Sequence, residues 1–293
     1  MNYAAIATEL HAYLNDPHLT ADANFRQRAH ALALTDLALE YVRYGHQGED
    51  LAALRQGAAA LQQRIQQTND QIIQFWRGQI QSGNYSRAAL TQFCAEVVGS
   101  PPPGSQLHIT PTGLDEFISG LLDINKQPDE TRPREREMVQ YEATPASVAL
   151  ELAQLVTPAP ASVFYDLGAG LGMVVILFHL LTGAASKGVE FEPAYCQVAA
   201  ANAARLNLDR VSFINADARD LTYADGTLFF MFTPFKGQIM RDVLHQLHIQ
   251  AGTRPITVAS FGYCTLEIAA APWLQQRHLT PLHPFRLVLF DSA

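Results

Sequence analysis

Apolar residues in the first 125 positions recur in steps of three and four, the spacing of one helix face. They predict a helix over residues 21–44 carrying Leu32, Leu37, Leu39 and Val42, then a glycine break at 45–48. A long helix is predicted over 49–80, striped by Leu51, Leu54, Ala58, Leu61, Ile65, Ile72 and Phe75, with Thr68 as its polar interruption and most glutamines off the stripe. A third helix over 85–98 stops at Gly99, where the proline run of 100–104 forces an extended connection; a short one follows at 113–122. The polar, proline-broken stretch 125–136 reads as a linker. Its Arg132, Arg134 and Arg136 interleave with Glu135 and Glu137, which suggests a solvated mixed-charge segment.

Beyond residue 137 the pattern changes. A helix opened by Pro145 carries Val148, Leu150, Leu152 and Leu155 and is stopped at 158–161. Short apolar runs then alternate with helical segments: strands at 163–165, 187–191, 211–215, 227–233 and 255–261, helices at 173–181, 193–206 and 237–249. Such alternation implies an α/β fold with a doubly wound, mostly parallel sheet and ligands at the carboxyl ends of its strands. The segment 285–291 reads as a further strand, antiparallel in one reading, with its partner open. The expected organisation is a helical N-terminal domain (1–125), a linker (126–140) and an α/β domain (141–293). The stripe of 49–80 resembles a heptad seam, which admits a homodimer through that helix; an intramolecular helical hairpin is preferred, because the positions flanking the seam lack charged partners.

Composition narrows the class. Of 293 residues 48% are hydrophobic and 16% charged, a globular balance. No apolar run reaches membrane-spanning length and the first residues lack the features of a signal peptide, so a soluble, cytoplasmic protein without membrane contact is expected. Cys94, Cys196 and Cys264 lie far apart and read as buried, reduced thiols. A net charge of −8 argues against nucleic acid as a partner. His245 and His248 have a metal-like spacing but no third ligand nearby, so no metal site is expected.

The chemistry centres on the strand at 163–165 and the turn of Gly168, Gly170 and Gly172 that opens the helix at 173. Glycines let backbone approach a ligand, and a helix N-terminus offers free N–H groups. A dinucleotide fingerprint would have glycine where Met173 stands, and the Asp166 carboxylate would repel a pyrophosphate yet hold an ammonium. S-adenosylmethionine carries that ammonium; a dinucleotide or a plain structural turn are the alternatives. Glu190 ends the next strand 24 residues after Asp166, where an acid accepts ribose hydroxyls, with Glu192 the rival. Asp217 and the Ala218 N–H suit an adenine edge and Phe191 its face, whereas a capping acid is the plainer reading of Asp217. Thr233, Pro234 and Phe235 close the fourth strand, where a fixed carbonyl and an aromatic wall could face the reacting atom, unless they form an ordinary turn.

DLGAGLG, GVEFEP, NADARD and FTPF, in that order, resemble the motifs of class I S-adenosylmethionine-dependent methyltransferases across about residues 141–261. YEATPASVALEL further resembles the substrate-loop motif of the disruptor-of-telomeric-silencing (Dot) lysine methyltransferases, with Tyr141 and Thr144 matching and Thr144 lying 22 residues before Asp166. The resemblance implies a Rossmann-like methyltransferase sheet. It implies Tyr141 and Thr144 at the cofactor's methionine end, Asp166 and Gly168 on its amino-acid portion, Glu190 on its ribose, Asp217 on its adenine, and Thr233-Pro234-Phe235 at the acceptor channel. The Dot enzymes have asparagine where Thr233 stands, and those acting on nucleosomes have a basic DNA segment that this chain lacks. The expected activity is methyl transfer by in-line displacement to a protein or small-molecule nucleophile, with Tyr141 and Tyr263 as candidates to assist deprotonation. The alternatives are a cofactor-binding interaction or sensing protein without turnover, and a nicotinamide oxidoreductase.

Overall fold

The computed structural model describes residues 2–44, 50–98, 113–278 and 281–293. The predicted features at 45–48, Gly99 and 100–104 lie outside them.

Five helices come first: α1 (Tyr3–Leu14), α2 (Phe25–Tyr44), α3 (Leu51–Gln81), α4 (Arg87–Val98) and α5 (Gly113–Leu122). α1 was not anticipated. Its buried stripe is only Ile6 and Leu10 amid alanines, too sparse to show periodicity. Asp50 caps α3, accepting from the Ala53 N–H at 2.9 Å. The apolar stripe of α3 is buried within the chain: Leu54, Ala58, Leu61 and Ile65 share one core with α1 and α2, while Ile72, Trp76 and Ile80 enter a second core. At the C-terminal end the stripe departs from the predicted one, since Trp76 is buried and Phe75 is 59% exposed. A straight helix drifts about 20° per heptad, which carries position 75 out of contact.

The second half contains α6 (Ala146–Leu155), β1 (Val163–Leu167), α7 (Met173–Thr182), β2 (Ala185–Glu190), α8 (Pro193–Arg205), β3 (Val211–Asn215), β4 (Leu228–Phe232), α9 (Gly237–Ala251), β5 (Thr257–Phe261), α10 (Cys264–Ala269), β6 (Leu274–Gln276) and β7 (Val288–Ser292). The sheet runs β3-β2-β1-β4-β5-β7-β6. β1 to β5 are parallel, and β7 lies antiparallel between β5 and β6. The closing strand is therefore antiparallel and its open partner is β5; Phe285 precedes it.

Two cores face the sheet. One joins α3, α4 and α5 to α6, α7 and side chains such as Phe164 and Phe230; the other packs Phe229 and Met231 against α9. α7 is apolar all round because it is enclosed all round, with nine of its ten residues buried. Its Phe178 stacks on Phe164 with centroids 4.2 Å apart. Full burial of each such side chain contributes about 1.5–3 kcal/mol. No helix among the described residues is long and apolar enough to cross a membrane.

The 126–140 stretch is largely exposed, as its polarity implies, and several of its side chains are also tied to the sheet. Arg132 lies over the Phe191 ring at 3.8 Å, Arg219 binds Glu135 at 2.5 Å, and the Glu137 carboxylate accepts from the Gln238 and Ile239 N–H groups at the start of α9. Val139 donates its N–H to the Pro234 carbonyl at 3.0 Å. Arg132, Glu135 and Glu137 thus have partners at the carboxyl edge of the sheet.

Candidate functional site

β1 and β4 are neighbours, as are β1 and β2, so the chain reverses direction across the sheet at β1, and a crevice opens beyond its carboxyl end. Gly168, Gly170 and Gly172 take φ of +90°, +52° and +82°. A Cβ on Gly168 would strike Pro234, and one on Gly170 the Tyr141 ring. The Gly168 and Ala169 N–H groups donate to the Val189 carbonyl at 2.9 and 3.0 Å, tying the turn to β2.

Two cavities, of about 320 and 280 Å³, lie over this turn and share Tyr141, Glu142, Gly168, Phe232 and Phe285. The smaller is lined by Thr144, Asp166, Met173 and, from α5, Asp115. The larger is lined by Glu190, Phe191, Asp217 and Ala218 on one side and Thr233, Pro234 and Phe235 on the other. Each of the sequence-predicted positions except Gly170 and Gly172 therefore borders one or both cavities; Gly170 lies against the Tyr141 ring and Gly172 against Phe213.

Asp166 is 3% exposed, and among the described residues nothing donates a hydrogen bond to its carboxylate. Burial, and then the charge of Glu190, push its pKa well above the usual carboxylate range. Glu190 accepts from the Gly170 N–H and the Glu192 N–H, both at 2.7 Å. Burial raises its pKa despite those bonds. Glu190 also borders the larger cavity. Its rival Glu192 is differently engaged. It caps α8 through the Ala194 N–H and accepts from the Thr131 hydroxyl and Arg132 N–H, and although burial opposes it these bonds hold its carboxyl down to about 2. Asp217 is gripped by Arg219, whose hydrogen bonds hold its carboxyl below the usual range, and it caps the turn that begins at Ala218. The plainer capping role is thus present alongside its place at the cavity.

On the opposite wall the Pro234 carbonyl accepts the Val139 N–H at 3.0 Å. Thr233 has φ +42°, which is strained for a β-branched residue. Its N–H meets Cys264 Sγ and its Oγ1 accepts the Cys264 N–H, each at 3.2 Å. Gly262, at φ +93°, is where a side chain would collide with Thr233. Burial pushes the Cys264 thiol up to about 11, so it stays protonated and structural. All three cysteines are buried and free. Burial, with Tyr195, Glu190 and Asp166 nearby, pushes the Tyr141 hydroxyl up to about 12, so this phenol is a neutral hydrogen-bonding group near pH 7 and not a base. Tyr263 is 64% exposed at the rim. His248 stacks on Trp273, centroids 4.9 Å apart.

Residues that sequence reasoning missed include Phe232 and Phe285, which wall both cavities, and Met138, whose bridge to Phe235 places the 137–139 segment against β4's end. Phe232 was visible as the last apolar residue of a strand. Nothing local marked the others.

No described protein family and no curated protein matches the chain. Among solved structures it is similar to an RNA methyltransferase from Salinibacter ruber in complex with S-adenosyl-L-homocysteine, at 20% identity and TM-score 0.39, covering 52% of this chain and 92% of that one. It is also similar to geranyl diphosphate C-methyltransferase from Streptomyces coelicolor A3(2), in complex with Mg2+, geranyl diphosphate and S-adenosyl-L-homocysteine, at 13% identity and TM-score 0.39, covering 50% and 78%. The sheet, with β7 reversed between β5 and β6, is a doubly wound, Rossmann-like α/β sheet. Likenesses this distant say nothing of what the chain acts on.

Proposed function

We propose that this chain is an S-adenosylmethionine-dependent methyltransferase. The observation that carries the reading is Asp166, a buried carboxylate without a donor among the described residues, aimed into a cavity above a glycine turn. A buried charge of this kind is costly unless a cation meets it. The residues present fit the cofactor. Asp166 would take its ammonium, Glu190 its ribose hydroxyls, Tyr141 and Thr144 its methionine end, and Phe191, Asp217 and Ala218 its adenine. Gly168 leaves room for Pro234 beside the crevice and Gly170 leaves room for the Tyr141 ring.

When bound, S-adenosylmethionine supplies an electrophilic methyl on a sulfonium. The chain's task is then to align a nucleophile and exclude water. Thr233, Pro234 and Phe235 form the acceptor wall, with Thr233 locked by Cys264. The acceptor is a nucleophile of a protein or small molecule, and the likeness of 141–152 to the Dot motif favours a protein lysine amine. The surroundings of that wall, Phe232, Phe235 and Ile239, are apolar.

Calorimetric titration of the wild-type protein and Glu190→Ala with S-adenosylmethionine, and separately NAD, tests this. Expected is binding of S-adenosylmethionine alone, weakened at least about tenfold in the variant by the loss of charge-assisted hydrogen bonds. No binding of S-adenosylmethionine, or binding of NAD in its place, overturns the reading.

A further inference from the structure

The N-cap position of α6 is Pro145, which has no side-chain acceptor for the helix's first N–H groups. The acceptor comes from another element: Asp115 Oδ1, on α5, takes the Ala146 N–H at 2.7 Å. A carboxylate at this end also suits the helix dipole. The segment it fixes is the one that carries Tyr141 and Thr144, and Asp115 itself lines the same cavity as Asp166. That cavity's wall includes Asp115, Glu142 and Asp166 and, among the described residues, no lysine, arginine or histidine.

α5 is firmly seated. Its Gly113 abuts the backbone of Arg26 and its Gly120 abuts Ile73, positions where a Cβ would collide. The Arg77 guanidinium donates to the Gly120 carbonyl at 2.7 Å and to that of Leu121 at 3.1 Å, and Arg205 donates to the Leu122 carbonyl at 2.7 Å. Phe117, Ile118 and Leu121 share the core of α6 and α7.

We propose that Asp115 is a positioning residue for the methionine end of the site, acting through the Ala146 hydrogen bond to hold the 141–146 segment over the cavity. The helical front half thereby belongs to the cofactor site. This rests on the cofactor reading above.

The test uses the full chain, calorimetry, and two probes that share the adenosine and thioether but differ in the amino-acid part: S-adenosylhomocysteine and 5′-methylthioadenosine. Asp115→Ala is expected to weaken S-adenosylhomocysteine about tenfold, while 5′-methylthioadenosine stays within about twofold. Asp115→Asn keeps an oxygen for the Ala146 N–H and is expected to return S-adenosylhomocysteine to within about threefold of wild type. If Asp115→Ala does not fold, Asp115→Ser, too short to make the bond, takes its place with the same expected outcomes. Unchanged S-adenosylhomocysteine affinity, equal weakening of both probes, or an Asp115→Asn as weak as Asp115→Ala each overturns the proposal. A wild-type chain that binds neither S-adenosylmethionine nor S-adenosylhomocysteine overturns the cofactor reading and this proposal together.

Discussion

Asp166→Asn should make the free protein more stable and the site useless. The carboxylate is buried at the end of β1, has no donor among the described residues, and has a pKa raised first by burial and then by Glu190. Replacing this poorly solvated charge, which meets no donor among the described residues and opens only onto the cavity, by a neutral amide removes a desolvation cost of about 1–3 kcal/mol. In a chain of this size that raises the melting temperature by about 2–4 °C per kcal/mol. The sign with pH follows from the raised value. Below the ordinary carboxylate range both proteins are neutral at this position and melt alike. As pH rises above it the unfolded wild type ionises freely while the folded form does not, so wild type loses stability through the window up to the raised pKa, and Asp166→Asn does not. Binding runs the other way. Losing a charge-assisted bond to an ammonium costs about 1.5–3 kcal/mol, or about 10- to 100-fold in affinity for S-adenosylmethionine. Wild-type affinity should also fall as pH drops through that window, and that dependence should vanish in the variant. Thermal melts and calorimetry from pH 5 to 8 read both. A lower melting temperature at pH 7, or an affinity within about twofold of wild type, refutes an unpaired carboxylate facing the ligand.

Gly170→Ala puts a side chain at φ +52° against the Tyr141 ring. It should cost about 1–2 kcal/mol in urea denaturation from the backbone alone, with a further loss of S-adenosylmethionine affinity by calorimetry. Arg28 is wholly buried in α2, donates to the carbonyls of Leu19, Ala21 and Asp22 and to Asn69, and burial lowers its pKa to about 10. Arg28→Leu leaves those acceptors unpaired and should destabilise by about 3–5 kcal/mol in the same assay, with unchanged cofactor affinity in the protein that remains folded.

The α/β half was legible because its periodicities are strong and its strands short, apolar and regularly spaced. That the first five strands are parallel was legible from the alternation of strands with helices; their order in the sheet was not. β6 was not legible, since three residues leave no alternation to read, and its pairing is set by β7 arriving from the far end of the chain. The α3 stripe was read correctly until the end, where the heptad template and the true helical period disagree and choose between Phe75 and Trp76. The exposure of 126–140 was legible in its polarity, but a sequence shows which charges alternate along a chain and not which find partners across space. Arg132 on Phe191, Arg219 on Glu135 and Glu137 on α9 are all such partners.

The same distinction divides the site. The turn and the strand ends are local: positive φ requires glycine at 168, 170 and 172, and an acid at the end of β2 needs only a strand to carry it to the crevice. The opposite wall depends on contacts between elements. That the Pro234 carbonyl is taken follows from where Val139 returns, and that Thr233 survives at φ +42° follows from Cys264, which lies 31 residues later. Asp115 is the extreme case, being ordinary in its own helix. Its significance appears only because Pro145 leaves α6 without a cap and α5 is wedged close enough to provide one. A substitution at Asp115 would therefore register in the segment bearing Tyr141 and Thr144 before it registers in α5, whose other end Arg77 and Arg205 continue to hold.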